Sequence, residues 1–436
     1  MAPSKHSTKS GNTKAKENEF SFGCEVEILV KPKMGKSPFT KRLKKLEFDP
    51  SIPSQPVSAF EPGPDDTAGK KLKKDQEKNR KAIRTALAEA LNRAFVTAKA
   101  YETSSNTTKI DYTAWAIMDE GALDEPEGFW RVECVSKTEN IDSIADPERS
   151  WVQDIRRFFA VLGENCDLKV TTGCSMHVHV SPGVSTKFNE CQLQAICKAI
   201  CYWDTVTTAI LPLHRKASTW AASNCADIRN PMHKDEPLNE SVNKNLVAAY
   251  KSVFQKGWKI GLFDSYFGKG QVTLHSVYSL MSGSTNLDNG RRSRYVGWNF
   301  QHVTDTCGTI EFRRPPGVDT ADDALYWICF TVGFVSQAIR TDWNDKRYDK
   351  VGKLGAGDLD DFVRSGLRGI PSLRNTDPAS IGLQTLTRHD GKVHWTQEEI
   401  DKHNYELKQQ IKKRQRGEDQ SNFALIANTR RANDTT

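Results

Sequence analysis

Residues 173–181 read Gly173-Cys174-Ser175-Met176-His177-Val178-His179-Val180-Ser181. Successive side chains of a strand point to opposite sides. His177 and His179 therefore share one face, and Cys174, Met176, Val178 and Val180 share the other. Three more segments repeat this division. In Gly23-Cys24-Glu25-Val26-Glu27-Ile28 the two glutamates lie opposite Cys24, Val26 and Ile28. In Arg131-Val132-Glu133-Cys134-Val135, Glu133 points with Arg131 and away from Val132 and Cys134. In Thr309-Ile310-Glu311-Phe312-Arg313, Glu311 and Arg313 face away from Ile310 and Phe312. One apolar face and one face of functional groups in every segment predict an α+β fold: an antiparallel sheet with helices packed on one side and a site on the other.

If the four segments share one sheet, its open face gathers Glu25, Glu27, Glu133, His177, His179, Glu311 and Arg313. Carboxylates that close repel one another unless a cation lies between them. Oxygen ligands with imidazole suit Mg²⁺ or Mn²⁺, and an adjacent arginine suits a phosphoryl group. Each piece alone has a plainer reading. A Glu-x-Glu strand is ordinarily a solvated face, and a Glu-x-Arg pair can be a surface ion pair. The prediction rests on the same polarity recurring in four strands. Cys24, Cys134 and Cys174 point away from the ligands and read as small core residues.

Around these strands the chain reads as follows. Residues 1–18 are a polar, basic tail, and 31–75 a flexible insertion rich in Pro, Gly, Lys and Asp. Apolar residues at spacing four predict a helix over about 74–100. Strands are expected near 113–118 and 130–136, a helix over 148–162, and one strand from Asp167 to Ser181. Helices over 189–211 and 321–340 follow, with strands near 274–282, 295–303 and 308–314 between them. The catalytic domain is expected over 19–345. Residues 346–436 are read as an extension with a charged helix near 396–416 and a frayed tail. Trp203, Trp298 and Trp327 lie in apolar stretches and read as core; His214, His233, His275 and His302 have no partner at ligand spacing.

Composition narrows the class. Residues 1–85 hold 19 Lys and Arg against 11 Asp and Glu, an excess of eight where the whole chain carries +7. The basic charge thus sits in the tail and insertion, and with no stacking motif or recognition helix beside it no specific nucleic-acid partner is expected. No apolar run is long enough for a membrane helix, and the first residues lack the apolar core of a signal peptide. The ten cysteines include no Cys-x-x-Cys pair, so free thiols and a cytoplasmic location are expected.

In chain order, FGCEVE at 22–27, WAIMDEGAL at 115–123, FWRVECVS at 129–136, GCSMHVHVS at 173–181 and IEFRRP at 310–315 resemble the motifs of the amidoligase family, a branch of the glutamine-synthetase-like carboxylate–amine ligases. The resemblance spans residues 20–340 and is closest in the motif strands. It implies a glutamine-synthetase-like fold, in which Glu25, Glu27, Glu133, His177 and Glu311 hold two or more Mg²⁺ ions. It implies that His179 and Arg313 face the phosphates of ATP, with Arg294 and Asn299 in RSRYVGWNFQ as further nucleotide or substrate contacts. Asp119 falls at the family's acidic loop. Two departures stand out: Asp119-Glu120-Gly121-Ala122 lacks the serine that usually follows Asp-Gly, and Lys137 replaces a frequent proline after Ser136.

The expected activity is ATP-dependent amide formation from a carboxylate and an amine, through an acyl phosphate. Arg313 would stabilise the moving phosphoryl group, and Asp119 or Glu120 would collect the amine proton. The substrates would be small molecules or peptides, and an oligomer is compatible with this reading. Two rivals use the same residues: a metal-dependent hydrolase built on His177 and His179, and a non-catalytic nucleotide-binding protein of the same fold.

Overall fold

The computed structural model describes residues 20–55, 67–102, 110–146, 150–216, 218, 220–221, 223–224, 281, 296–303, 308–343 and 354–388. In chain order these form β1 (Ser21–Pro32), α1 (Pro38–Lys45), α2 (Thr67–Arg93), β2 (Ala98–Ala100), β3 (Trp115–Met118), β4 (Trp130–Val135) and β5 (Glu139–Asn140). Then come α3 (Trp151–Asn165), β6 (Cys166–Lys169), β7 (Met176–Ser181), α4 (Glu190–Ala209), the short α5 (Leu213–Lys216), β8 (Trp298–Asn299), β9 (Ile310–Phe312), α6 (Ala321–Arg340) and α7 (Ala356–Arg368).

The strands described make one sheet in the order β2-β3-β4-β1-β7-β9-β8, with β5 and β6 also paired to β1. Only β2 and β3 run parallel; the other pairs are antiparallel. The architecture is α+β, as expected. The 12-residue β1 is its axis. One edge pairs with β4 and β5, the other with β6 and β7. Phe22, Val26, Ile28, Val132, Val178 and Phe312 lie on the buried face and join the same core as the helices.

Local chemistry explains the helices on that face. In α3, Ser150 caps the first turn by accepting from Gln153 N, and Ile155, Phe158, Phe159 and Leu162 supply the buried stripe. In α6, Thr320 caps the helix by accepting from Asp323 N, and Asp322 and Asp323 sit where the helix dipole favours negative charge. Trp203, Trp298 and Trp327 are buried.

Four expectations change. The strand foreseen from Asp167 to Ser181 is two strands on one edge of β1, separated by a turn in which Cys174 N donates to Thr171 O at 3.0 Å. Cys174 accordingly leaves the alternation and packs with Leu29 and Leu123 rather than with the main core. The helix foreseen to residue 100 stops at Arg93. Phe95 takes φ 63°, and the Asn92 side chain folds back onto both backbone groups of Ala98, which releases β2.

The stretch read as a flexible insertion contains α1, which buries Phe39 and Leu43. The boundary drawn at 345 does not separate two cores: Leu359, Phe362, Val363 and Leu367 of α7 belong to the main one. The strand expected over 274–282 lies almost wholly, and the charged helix over 396–416 wholly, outside the described residues. Among the described residues no helix is long and apolar enough to cross a membrane.

Candidate active site

Strand pairing turns the four sequence motifs into one cluster. Opposite residues of an antiparallel pair project to the same side. Glu25 pairs with His177, Glu27 with Glu133, and His179 with Glu311. Asn299 of β8 follows Glu311.

The side chains interlock. Glu25 Oε2 lies 2.8 Å from His177 Nδ1, and Glu25 Oε1 lies 3.1 Å from His179 Nε2. Glu311 Oε1 is 3.4 Å from His177 Nδ1 and 3.8 Å from His179 Nε2. Arg313 Nη1 donates to Glu311 Oε1 at 2.5 Å, and Asn299 Nδ2 donates to Glu311 Oε2 at 2.8 Å. His179 Nδ1 lies 3.4 Å from Thr309 Oγ1, a contact that turns its Nε2 toward the two carboxylates. One ligand atom each from Glu25, His179 and Glu311 falls within 4.8 Å of the others. His179, expected on the nucleotide side, thus also reaches both carboxylates, slightly farther from each than His177.

The turn between β6 and β7 completes the cluster. It presents the backbone N–H and the hydroxyl of Ser175 to Glu27 Oε2, at 2.8 and 2.7 Å. Ser175 Oγ also lies 3.0 Å from His177 Nε2. Alternation already puts Ser175 on the face of His177 and His179; what it does not show is the turn that brings the Ser175 N–H to Glu27.

Two more residues join that were not foreseen. His302 Nε2 lies 3.9 Å from Glu311 Oε2, and its ring centroid is 6.0 Å from that of His179. His302 has no partner at ligand spacing along the chain and gains one only in space, from its place in a 3₁₀ turn after β8. Arg215 of α5 is buried at 2% exposure and donates to the carbonyls of Arg314 (3.1 Å) and Arg313 (2.6 Å). Arg294 lies outside the described residues.

The charge state follows from the surroundings. Burial pushes the Glu25 carboxyl up. The charge of His179 and hydrogen bonds from both imidazoles outweigh this and hold it well below the ordinary range. Glu311 is likewise held low against its burial, mainly by Arg313 and then by the two histidines.

Asp119 and Glu120, expected to be interchangeable, are not. Asp119 accepts a two-pronged pair from Arg131 at 3.1 Å, with Arg84 at 3.7 Å. Burial pushes its carboxyl up, but these charges hold it below its usual value. Glu120 is pushed up to about 8 by burial and by the charge of Glu27. Its Oε1 accepts from Ala122 N at 2.7 Å.

The donors suit a hard divalent cation. Glu25, Glu27, Glu133 and Glu311 are four carboxylates on one face, all buried except the half-buried Glu27, with Arg313 in contact with the last. Buried negative charge in that excess calls for a cation, and oxygen donors with imidazole match Mg²⁺ or Mn²⁺. At the Glu25–His179 end opens a cavity of about 210 Å³, lined among others by Gly23, Ser136, Ser181 and Thr309. Among its described lining residues there is no lysine or arginine. Neither the known protein families nor the curated proteins include a match to this chain.

Proposed function

We propose that the protein is an ATP-dependent carboxylate–amine ligase of the amidoligase type, with a glutamine-synthetase-like arrangement of its sheet. The observation that carries this reading is the Glu25–His179–Glu311 donor cluster with Arg313 against Glu311. A lone hydrolytic zinc needs three protein ligands and a water. Here further carboxylates, Glu27 and Glu133, and a cation suited to phosphate crowd the same face.

Glu25, Glu27, Glu133, His177 and Glu311 would hold the metal, with His179 beside them. Bound Mg²⁺ would supply neutralisation of the phosphate charge. In the reaction, an oxygen of the acid takes the γ-phosphoryl group of ATP and ADP leaves. The amine nitrogen then attacks the acyl carbon, and phosphate leaves. Arg313 stabilises charge on the transferring phosphoryl. The cation-free cavity beside His179 suits the uncharged nucleoside part of ATP.

Glu120 fits the proton acceptor better than Asp119. A group poised near 8 gains and loses protons close to neutrality. Asp119, locked to Arg131, instead fixes the loop that carries Glu120.

The test is ADP release from ATP and Mg²⁺ with pooled amino acids, polyamines and small carboxylic acids. Release that needs both an acid and an amine, and that falls at least ~100-fold in Glu27→Gln, is the expected result. Zinc retained through purification, with hydrolysis independent of ATP, would sink the ligase reading and bring forward the hydrolase.

A further inference from the structure

Glycine weakens a strand, because it loses the most chain entropy on folding and brings no side chain to pack. Gly23 is nevertheless the third residue of β1, the axis of the sheet, where it pairs with His179 of β7. Neither usual need for glycine applies to it. Its φ is not positive. A Cβ built on it would meet only Ser136 Oγ, at 3.6 Å, which is ordinary contact. At Gly317, Gly366 and Gly382, by contrast, an added Cβ would lie 2.5, 1.9 and 2.4 Å from a neighbour. Those glycines serve the packing of the chain itself. The room at Gly23 serves nothing in the protein.

That room belongs to the cavity of about 210 Å³ beside Glu25 and His179. A cavity of ~150 Å³ already accepts a benzene ring. By alternation Gly23 lies on the face of Glu25, and Ser21 and Ser181, opposite one another, continue that face. Their hydroxyl protons are spent within the protein. Ser181 Oγ donates to Gly183 O at 3.1 Å, so Ser21 Oγ donates to Ser181 Oγ, at 2.6 Å. Ser136 Oγ donates to Lys137 O and accepts from Cys24 N, both at 2.8 Å. Tyr112, Val135 and Val184 add apolar surface. With Glu25 at its edge and no lysine or arginine among its described lining residues, the cavity repels an anion. It suits a flat, uncharged group that binds by contact.

We propose that Gly23 is the specificity-determining residue of this site: the space of its missing side chain is filled by a purine ring lying against the β1 backbone, and the size of residue 23 decides whether a nucleoside enters. A glycine inside a strand is where a ligand can approach the backbone closely. The choice of a purine rests on the ligase reading; the flat, uncharged group rests on the cavity.

Adenosine is the probe, since it has the ring and no phosphate. The thermal midpoint of the full chain is followed against adenosine, with Mg²⁺ and inorganic tripolyphosphate as a parallel series. The wild-type midpoint is expected to rise and saturate with adenosine. Gly23→Val should need at least ~10-fold more adenosine, with Gly23→Ala between the two, while all three respond alike to Mg²⁺ and tripolyphosphate. Without ligand, both variants should melt at or above the wild-type temperature, because alanine and valine suit a strand better than glycine.

A ligand-free midpoint that falls in Gly23→Ala would show that the glycine serves the fold, and overturns the proposal. So does a wild type that ignores adenosine, an equal adenosine response in all three proteins, or a tripolyphosphate response lost together with the adenosine response. A wild type that binds adenosine through Gly23 but ignores Mg²⁺ and tripolyphosphate would count against the ligase reading and leave Gly23 as the gate of the cavity.

Discussion

At the scale of single residues, carboxyls close together in this protein titrate in opposite directions according to which cations reach them. Arg131 and Arg84 converge on Asp119, whereas at Glu120 burial and the charge of Glu27 outweigh the pull of Arg131. Away from the site, Glu139 shows the same physics. It shares Lys137 with Asp154, each carboxylate 3.4 Å from the ammonium. Burial, with the charge of Asp154 added, outweighs Lys137 and pushes the Glu139 carboxyl from 4.5 up to about 8. A folded-state value above the unfolded one means that the folded protein keeps a proton the unfolded chain has released. The stability tied to Glu139 is therefore present below about 4.5 and lost as pH rises toward 8. Glu139→Gln, which cannot ionise, is expected to gain stability relative to wild type between pH ~5 and pH ~8. Urea midpoints of both proteins at the two pH values measure this; a constant difference would mean that Glu139 titrates normally. No motif flagged Glu139, because two carboxylates sharing one lysine show only when distant segments are assembled.

At the scale of elements, α6 and α7 cross at a contact only glycine permits. A Cβ on Gly366 would lie 1.9 Å from the carbonyl oxygen of Gly333 and 2.9 Å from Gln337 N. Alanine is the better helix former by ~1 kcal/mol, but forcing the two backbones apart costs more, about 1–3 kcal/mol and upward for an overpacked site. The clash wins. Gly366→Ala should destabilise by at least ~2 kcal/mol in chemical denaturation, while Gly163→Ala in α3, with nothing within 4 Å, should stabilise by up to ~1 kcal/mol. Equal effects at the two positions would refute the close crossing.

The period-two pattern made the strands and their faces legible. It did not show the turn at 170–175 that brings the Ser175 N–H to Glu27, although Gly173 inside an otherwise regular run is a signal of such a break. The 31–55 segment was missed for another reason. Side-chain amides hold it as well as periodic packing does: Asn79 bonds both backbone groups of Asp49, and Gln76 bonds the carbonyls of Pro53 and Gln55.

At the scale of the whole molecule, the sheet sets two opposite tasks for its two faces. One buries aromatic and aliphatic residues against α3 and α6; the other concentrates like charge, which a cation would relieve. Mg²⁺ or Mn²⁺ should therefore raise stability, by ~2.7 kcal/mol at a hundred times its Kd. Glu311→Gln should blunt the gain. Calorimetric scans with metal and with chelator read this directly, and identical midpoints would remove the metal site.

The sequence by itself determined the fold class, the polarity of each motif strand and the set of carboxylates and imidazoles that meet. These follow from alternation, which is local and survives any arrangement of the strands. Only the tertiary structure decided which histidine lies with which carboxylate, that His302 and Arg215 join the site, that Asp119 and Glu120 differ, and that α7 completes the core. Each of these depends on long-range register and on which charges end up within a few ångströms of one another, and neither is encoded in the spacing of neighbours along the chain.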